Sequence, residues 1–371
     1  MKFICKQQTL SKSLNIVSKA VTSRTTIPIL KGILLKVDDK GQLTMSASDL
    51  DLTIENTIDV ENFEEGSIVV LSKLFGDIIR KLPNDDVLIE LIENNVLIKC
   101  KDSEFSIIGL PTDEFPKINQ IEETNDHIFF DKETLKSMIK KTSFAASIDE
   151  SKGLITGLLI ELEKDNINMV AIDGYRMAIS RENMINIEEK KIIIEAKILN
   201  EINKILSEID SEEETVKLII DNKKAVFLID NLKVVLRLFE GEFIKYRDIL
   251  PKDSKSTIIV NRSELMNSIE RASLLSKEGK NNLIKFSVEN SDLIITSKSE
   301  EGNVKEKVYV TKEGENIEIG FNAKYVLDVL KVVEDEEIKM LFNTSISPCL
   351  IKPTEGNAFE YLILPVRITN N

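Results

Sequence analysis

Lys73 and Arg80 stand seven residues apart in the stretch SKLFGDIIRKL at 72–82. A straight helix returns side chains at that spacing to within about 20° of one another. An ammonium and a guanidinium would then share one face, a pairing that meets phosphate oxygens by charge without reading a base. The same spacing recurs in AKILNEINKIL (Lys197 and Lys204) and in AKYVLDVLKVV (Lys324 and Lys331), and KQQTLSKSLNIVSKAV carries Lys12 and Lys19. Lys81, Lys136 and Lys140 extend the same kind of surface. In the first three stretches an acid, Asp77, Glu201 or Asp328, lies four residues after one base and three before the other. That spacing forms intrahelical ion pairs of roughly 0.2–0.5 kcal/mol. Lys6, Lys12 and Lys19 are expected to have no acidic neighbour. Leu74, Phe75, Ile78, Ile79 and Leu82, opposite the bases of the first stretch, are expected to bury.

Other chemistry lacks its residues. The one histidine, His127, reads as part of a connector. No phosphate-binding glycine loop, zinc-protease helix or nucleophile elbow occurs. Cys5, Cys100 and Cys349 are widely spaced and read as buried thiols in a reducing compartment, with no zinc site and no disulfide framework. Acids gather after the repeated helix, in NDD at 84–86, SEIDSEEE from 207 and EDEE from 334, and read as solvated faces. No catalytic residue, metal or cofactor is expected. No apolar run approaches the roughly 18 residues of a membrane helix, and MKFICKQQTL carries no apolar signal core. A cytoplasmic protein with no membrane contact is expected.

Elements that position the bases are themselves repeated. Lys73, Lys197 and Lys324 are 124 and 127 residues apart, a period of domain size. Each repeat opens with a helix whose apolar residues lie four apart: Leu10 and Leu14, Leu135 and Ile139, Leu265 and Ile269. Strand patterns follow in GILLKV, GLLIEL and LIKFSV, then the second helix, then a hairpin with Asn94, Asn222 or Asn343 at its turn. Phe115 and Phe243 occupy matching connectors 128 residues apart. Boundaries therefore fall at 1–122, 123–254 and 255–371. The fold class is α+β: three repeated domains, each with two helices packed on antiparallel sheets of about eight strands. The six helical stretches sum to a charge of +8, although the chain as a whole carries -14. A uniformly basic coat is excluded, and a local basic surface is not.

The segments SRTTIPILKGILLKV (23–37), DGYRMAIS (173–180), YRDILP (246–251), IGFNAKYVLDVL (319–330) and YLILPVRI (361–368) resemble, in order and spacing, the bacterial DNA polymerase III beta-subunit family, the sliding clamps. This resemblance covers the whole chain. It implies a head-to-tail homodimer closing a ring of six domains, helices inward, that encircles double-stranded DNA as a processivity factor for the replicative polymerase. A separate clamp loader would open it. The family's DNA-facing positions fall on Arg24, Lys73, Arg80, Lys81, Lys197 and Lys324, with Lys152 as a further contact.

The resemblance also implies a pocket for short peptide motifs of the polymerase, the loader, repair polymerases and other clamp-binding proteins. Its positions in the second domain are Ile155, Ile172, Gly174, Tyr175, Arg176 and Met177. Ile244 and Ile249 follow in the connector, then Asn322 and Ile346. The closing stretch adds Leu362, Ile363, Leu364, Pro365, Val366 and Arg367. Asp248, Ile172 and Tyr175 depart from the family pattern. For the dimer contact the family positions are Phe105 and Ile107 of the first domain and Leu274 and Leu275 of the third. Two other classes stay open on the residues alone: a three-domain interaction scaffold that never encircles DNA, and a metal-dependent nuclease built on the acidic clusters.

Overall fold

The computed structural model describes residues 1–22, 25–116, 127–185, 188–209, 214–221, 223–276 and 282–368. Arg24, Asn222 and the expected boundary at 122 lie outside these residues. The first repeat runs β1 (Lys2–Lys6), α1 (Gln7–Val17), β2 (Gly32–Val37), β3 (Gln42–Ser48), β4 (Leu52–Asp59), β5 (Glu61–Glu64), β6 (Gly66–Leu71), α2 (Ser72–Lys81), β7 (Asp86–Ile92), β8 (Asn95–Cys100) and β9 (Ser103–Ile108). The second runs β10 (His127–Asp131), α3 (Lys132–Thr142), β11 (Gly157–Glu163), β12 (Asn166–Ile172), β13 (Arg176–Asn183), β14 (Lys190–Glu195), α4 (Ala196–Glu208), β15 (Thr215–Asp221), β16 (Lys224–Ile229) and β17 (Leu232–Arg237). The third runs β18 (Ser256–Asn261), α5 (Arg262–Ser276), β19 (Leu283–Glu289), β20 (Asp292–Ser299), β21 (Gly302–Gly314), β22 (Ile317–Asn322), α6 (Ala323–Leu330), β23 (Glu337–Phe342), β24 (Cys349–Pro353) and β25 (Phe359–Ile363).

Order β, α, four or five strands, α, three strands is thus written three times. Matching glycines show how closely. Gly32 and Gly157 each begin the strand after the first helix, and a Cβ at Gly32 would sit 2.4 Å from Val69 Cγ1, at Gly157 2.9 Å from Ile193 Cγ2. Only glycine lets the backbone approach the neighbouring strand that tightly.

The strands pair antiparallel in three sheets: β5-β1-β7-β8-β9, then β10-β15-β16-β17-β4-β3-β2-β6, then β14-β11-β12-β13-β25-β24-β23-β18-β21-β20-β19-β22. The two larger sheets run through repeat boundaries, because β17 pairs with β4 and β13 pairs with β25. Compact units follow the sheets: Met1–Glu133 with Lys204–Leu238 form one, and Thr134–Asn203 with Phe239–Asn371 the other. In the first, α1 packs on α2 and on β3 and β4; in the second, α5 packs on α6, β20 and β21. Leu10, Leu14, Phe75 and Ile79 are buried in the first, and Leu265, Ile269, Val326 and Leu330 in the second, as the four-residue spacing requires.

Several expectations need correction. His127 begins a strand, paired with Ile219, and is not in a connector. Helix α1 is α-helical only to Val17 and tightens to a 3-10 turn at Ser18–Ala20. Helix α6 ends at Leu330, with Lys331 as its C-terminal cap. Leu74 is 47% exposed: the buried stripe of α2 is Ser72, Phe75, Gly76, Ile78 and Ile79, which leaves Leu74 to one side of it.

Candidate functional site

On α1 and α2 the bases point away from the buried stripe. Lys12, Lys73, Arg80 and Lys81 are exposed. Arg80 bonds Asp77 of its own helix and donates to Asn15 Oδ1 of α1 at 3.3 Å. Lys73 forms no ion pair with a described residue. Lys6 and Lys19 do have acidic partners, contrary to expectation: Lys6 Nζ lies 2.6 Å from Asp86, and Lys19 Nζ 3.0 Å from Glu208. Both acids arrive through the fold from far along the chain, where sequence spacing gives no sign of them.

Lys140 on α3, Lys197 and Lys204 on α4, and Lys324 and Lys331 at α6 are exposed, while Lys136 is half-buried. Lys324 Nζ bonds Asp328 at 3.0 Å, the expected four-residue pair. Asp328 has a second, stronger claimant: Arg176 Nη1 approaches the same Oδ2 oxygen at 2.6 Å.

Arg176 leads into the second constellation. Its Nε donates to Asp173 Oδ2 at 3.0 Å, its Nη2 to the Phe144 carbonyl at 2.6 Å, and its guanidinium lies 4.6 Å from the Tyr325 ring centroid. Asp173 Oδ1 accepts the amides of Tyr175 and Arg176 at 2.8 and 3.0 Å, and Gly174, between Asp173 and Tyr175, makes the turn at φ 93°. The loop thus presents Tyr175, 57% exposed, stacked on Tyr325 at 6.2 Å, with Lys152 Nζ 5.9 Å over its ring.

Beside this loop lies an apolar cluster. Its buried residues are Leu159, Val170, Ile172, Met177, Ile179, Ile193, Tyr246, Leu350 and Leu362, and the half-buried residues packed against it include Leu154, Ile155, Phe243, Leu250 and Leu364. Met177 faces Leu362 and Arg176 faces Ile363 across the β13–β25 pair; beyond the strand the Leu364 amide donates to the Tyr175 carbonyl at 2.9 Å. Ile244, Ile249 and Ile346 are exposed, and Pro365 and Val366 half-buried, with Arg367 exposed. Ile363 is buried. Asn322 caps α6, its Oδ1 accepting the Lys324 amide at 2.9 Å. Sequence reasoning missed Tyr246, Tyr325, Asp173 and Asp328 here. Tyr246 and Tyr325 lie in the segments YRDILP and NAKYVLDVL that it had already singled out.

Glu161 lies under the connector, 1% exposed, and accepts from the Tyr246 hydroxyl at 2.6 Å and from Arg247 Nη1 and Nη2 at 3.0 and 2.7 Å, with Lys191 Nζ at 2.8 Å. Burial alone would raise its pKa, but hydrogen bonds from Arg247, Lys191 and Tyr246 prevail and hold it at about 2. Burial, then the bond to Glu161, pushes Tyr246 far up.

Of the remaining candidates, Phe105 is 41% and Leu274 67% exposed; Ile107 is buried and Leu275 half-buried. The three cysteines are buried and unpaired. Among the described residues no cluster of three His, Cys, Asp or Glu side chains could hold a metal ion, and no helix is long and apolar enough to cross a membrane.

Comparison with known proteins follows this geometry along the whole chain. Models of the DNA polymerase III beta subunit match its N-terminal domain at residues 1–119, its central domain at 130–245 and its C-terminal domain at 247–367. The chain belongs to the DNA polymerase III beta-subunit family. Among its relatives is the beta sliding clamp of Bacillus subtilis, 37% identical over 99% of this chain and 100% of the relative. The crystal structure of a putative DNA polymerase III beta subunit from Eubacterium rectale superposes with a TM-score of 0.94 at 38% identity, covering 99% of this chain and 100% of that one. A Pseudomonas aeruginosa sliding clamp bound to griselimycin gives 0.92 at 27% identity, with the same coverage. The three-domain α+β fold is therefore that of the sliding-clamp family, which contributes no catalytic step of its own.

Proposed function

We propose that two copies of this chain close head to tail into a ring that encircles duplex DNA without reading its sequence, and that the ring is a processivity factor tethering the replicative polymerase. The observation that carries this reading is an unfilled third seam. Within the chain, Ile54 of β4 faces Val234 of β17, and Ala178 of β13 faces Tyr361 of β25. Ile54 and Ala178 are equivalent positions 124 residues apart, and Val234 and Tyr361 are equivalents 127 apart, so both seams share one register. Carried to the next repeat, it sets Val304 of β21 against Phe105 of β9. Strand β9 ends its sheet, and Gly302–Tyr309 of β21 pair on one side only, with β20. Those two edges belong to different copies, and joining them removes both.

Side chains at the seams agree. Val234 and Tyr361 are fully buried, whereas their equivalent Phe105 is exposed. Phe144 packs on Tyr361 with ring centroids 5.9 Å apart; its equivalent, Leu274, is uncovered. Lys233 and Glu55 lie 3.6 Å apart at the first seam, and the same positions at the third are Glu104 and Lys305, with the signs exchanged.

In this ring Lys12, Lys19, Arg24, Lys73, Arg80, Lys81, Lys136, Lys140, Lys152, Lys197, Lys204, Lys324 and Lys331 touch phosphates lightly enough to slide. Tethering makes each rebinding of the polymerase intramolecular. The apolar cluster beside Arg176, with the exposed Ile244, Ile249 and Ile346, takes apolar peptide segments of the polymerase, the clamp loader and repair polymerases, and griselimycin in the same place. Domains are proposed at 1–122, 123–254 and 255–371. The deciding experiment loads the protein on nicked circular DNA with a clamp loader and ATP. Retention with release on linearisation is expected; no retention would return the scaffold reading, and magnesium-dependent degradation the nuclease one.

A further inference from the structure

We infer that Asp328 is a positioning residue of the peptide pocket, tying the Asp173–Arg176 loop to the basic helix α6. This rests on the pocket reading above. In sequence Asp328 is only the acid between Lys324 and Lys331, and its natural role is to neutralise them. In the fold it faces a different base. Arg176 reaches its Oδ2 at 2.6 Å, shorter than the 3.0 Å from Lys324. Side-chain exposure separates the two bases: 7% for Arg176 and 62% for Lys324. An exposed pair contributes little, whereas a desolvated guanidinium depends on each acceptor it has.

Arg176 in turn has no freedom to spare. Asp173, Asp328 and the Phe144 carbonyl take its Nε, Nη1 and Nη2, one acceptor for each nitrogen, and Tyr325 lies under its plane. Of these acceptors, Asp173 belongs to the loop itself and moves with it. Asp328 and the Phe144 carbonyl are the external anchors, and Asp328 alone is on α6. Tyr325, one turn earlier on α6, stacks on Tyr175. Removing Asp328 leaves the guanidinium short of one anionic partner and frees the loop that carries Tyr175 and receives the Leu364 amide.

The test compares full-length wild type with Asp328→Ala and Asp328→Glu. Alanine keeps α6 helical, and glutamate restores the charge. Amide hydrogen exchange in the absence of ligand is expected to quicken at Tyr175 and Arg176 in the alanine variant, with α6 itself still protected, and to return towards wild type with glutamate. Griselimycin affinity, measured by calorimetry, should fall about ten-fold in the alanine variant, equivalent to about 1.4 kcal/mol, and recover with glutamate. Faster exchange along α6 with an unaltered loop would assign Asp328 to its own helix and overturn the inference. So would an affinity unchanged by alanine. Failure of wild type to bind griselimycin would instead strike the pocket reading, and the exchange at Tyr175 and Arg176 would still decide the role of Asp328.

Discussion

The Tyr246 hydroxyl donates a 2.6 Å hydrogen bond to Glu161, a carboxylate that Arg247 grips with two nitrogens and Lys191 with a third. Tyr246 is part of the apolar cluster, so this buried charge fixes the connector that carries Ile244 and Ile249. Its folded pKa is about 2, against an ordinary 4.5. A depressed carboxylate stabilises the fold fully above its unfolded pKa and loses that contribution as pH falls through the folded one, here between about 4.5 and 2. The shift corresponds to roughly 3 kcal/mol as an upper figure. Glu161→Gln should lower the melting temperature clearly at pH 7, and the gap to wild type should close as pH approaches 2.5, about half a unit above that folded value. A gap that stays constant over this range would mean that the charge of Glu161 contributes nothing.

The third seam gives a second expectation. Phe105 gains in the ring the burial that Val234 and Tyr361 already have in the chain. Phe105 is 41% exposed in the chain, so of the roughly 1.5–3 kcal/mol of a full burial about 0.6–1.2 is gained at each seam, and with two seams per ring Phe105→Ala should weaken dimerisation by about ten-fold to fifty-fold. Sedimentation velocity at graded concentrations reads this directly. A charge test is sharper in logic though smaller in size: Lys305→Glu should weaken the dimer, and adding Glu104→Lys should restore it. If the double variant is weaker than either single one, the register is wrong.

The basic helices are not equivalent in their use of charge. Lys19 is held by Glu208 and Arg80 by Asp77, whereas Lys73 pairs with no described residue. Lys73→Glu should therefore shorten the lifetime on nicked circular DNA more than Lys19→Glu. Each lost phosphate contact should also flatten the salt dependence by about one unit of slope. Equal lifetimes for the two variants at moderate salt would place Lys73 away from the duplex.

Much of this was legible in the sequence, for reasons that also mark the limit. The phase of Lys73, Lys197 and Lys324 reports one supersecondary unit used three times, and helical spacing correctly assigns Leu10, Ile79 and Leu265 to buried faces. Alternation along a strand says which face is apolar and nothing about which strand lies beside it. The pairing of β17 with β4, and the division of the second repeat between two sheets, were therefore invisible. So were Glu208 beside Lys19 and Arg176 beside Asp328, partners 189 and 152 residues apart, since local spacing offered nearer but weaker alternatives. Leu74 failed for a smaller reason: α2 buries Ser72 and Gly76 against its neighbours, and that contact turns the apolar stripe away from the face on which hydrophobicity alone would centre it.

The closing segment offers the most direct test of the proposed peptide site. Strand β25 ends at Ile363, held by Arg176 on one side and Cys349 on the other. Leu364 then bonds the Tyr175 carbonyl and packs on the apolar cluster, and Val366 donates to Gly320 at 2.8 Å. A chain cut after Ile363 keeps every β25 pair, so its sheet should survive with a modest loss of melting temperature. The segment Leu364, Pro365 and Val366 is gone, and the proposed griselimycin binding should disappear with it. Leu364→Ala is the milder companion: it keeps the backbone bond to Tyr175, removes only the side chain, and should cost about ten-fold in affinity, near 1.4 kcal/mol. Full affinity in the truncated chain, measured by calorimetry at a temperature where the fold is intact, would move the ligand site away from β25 altogether.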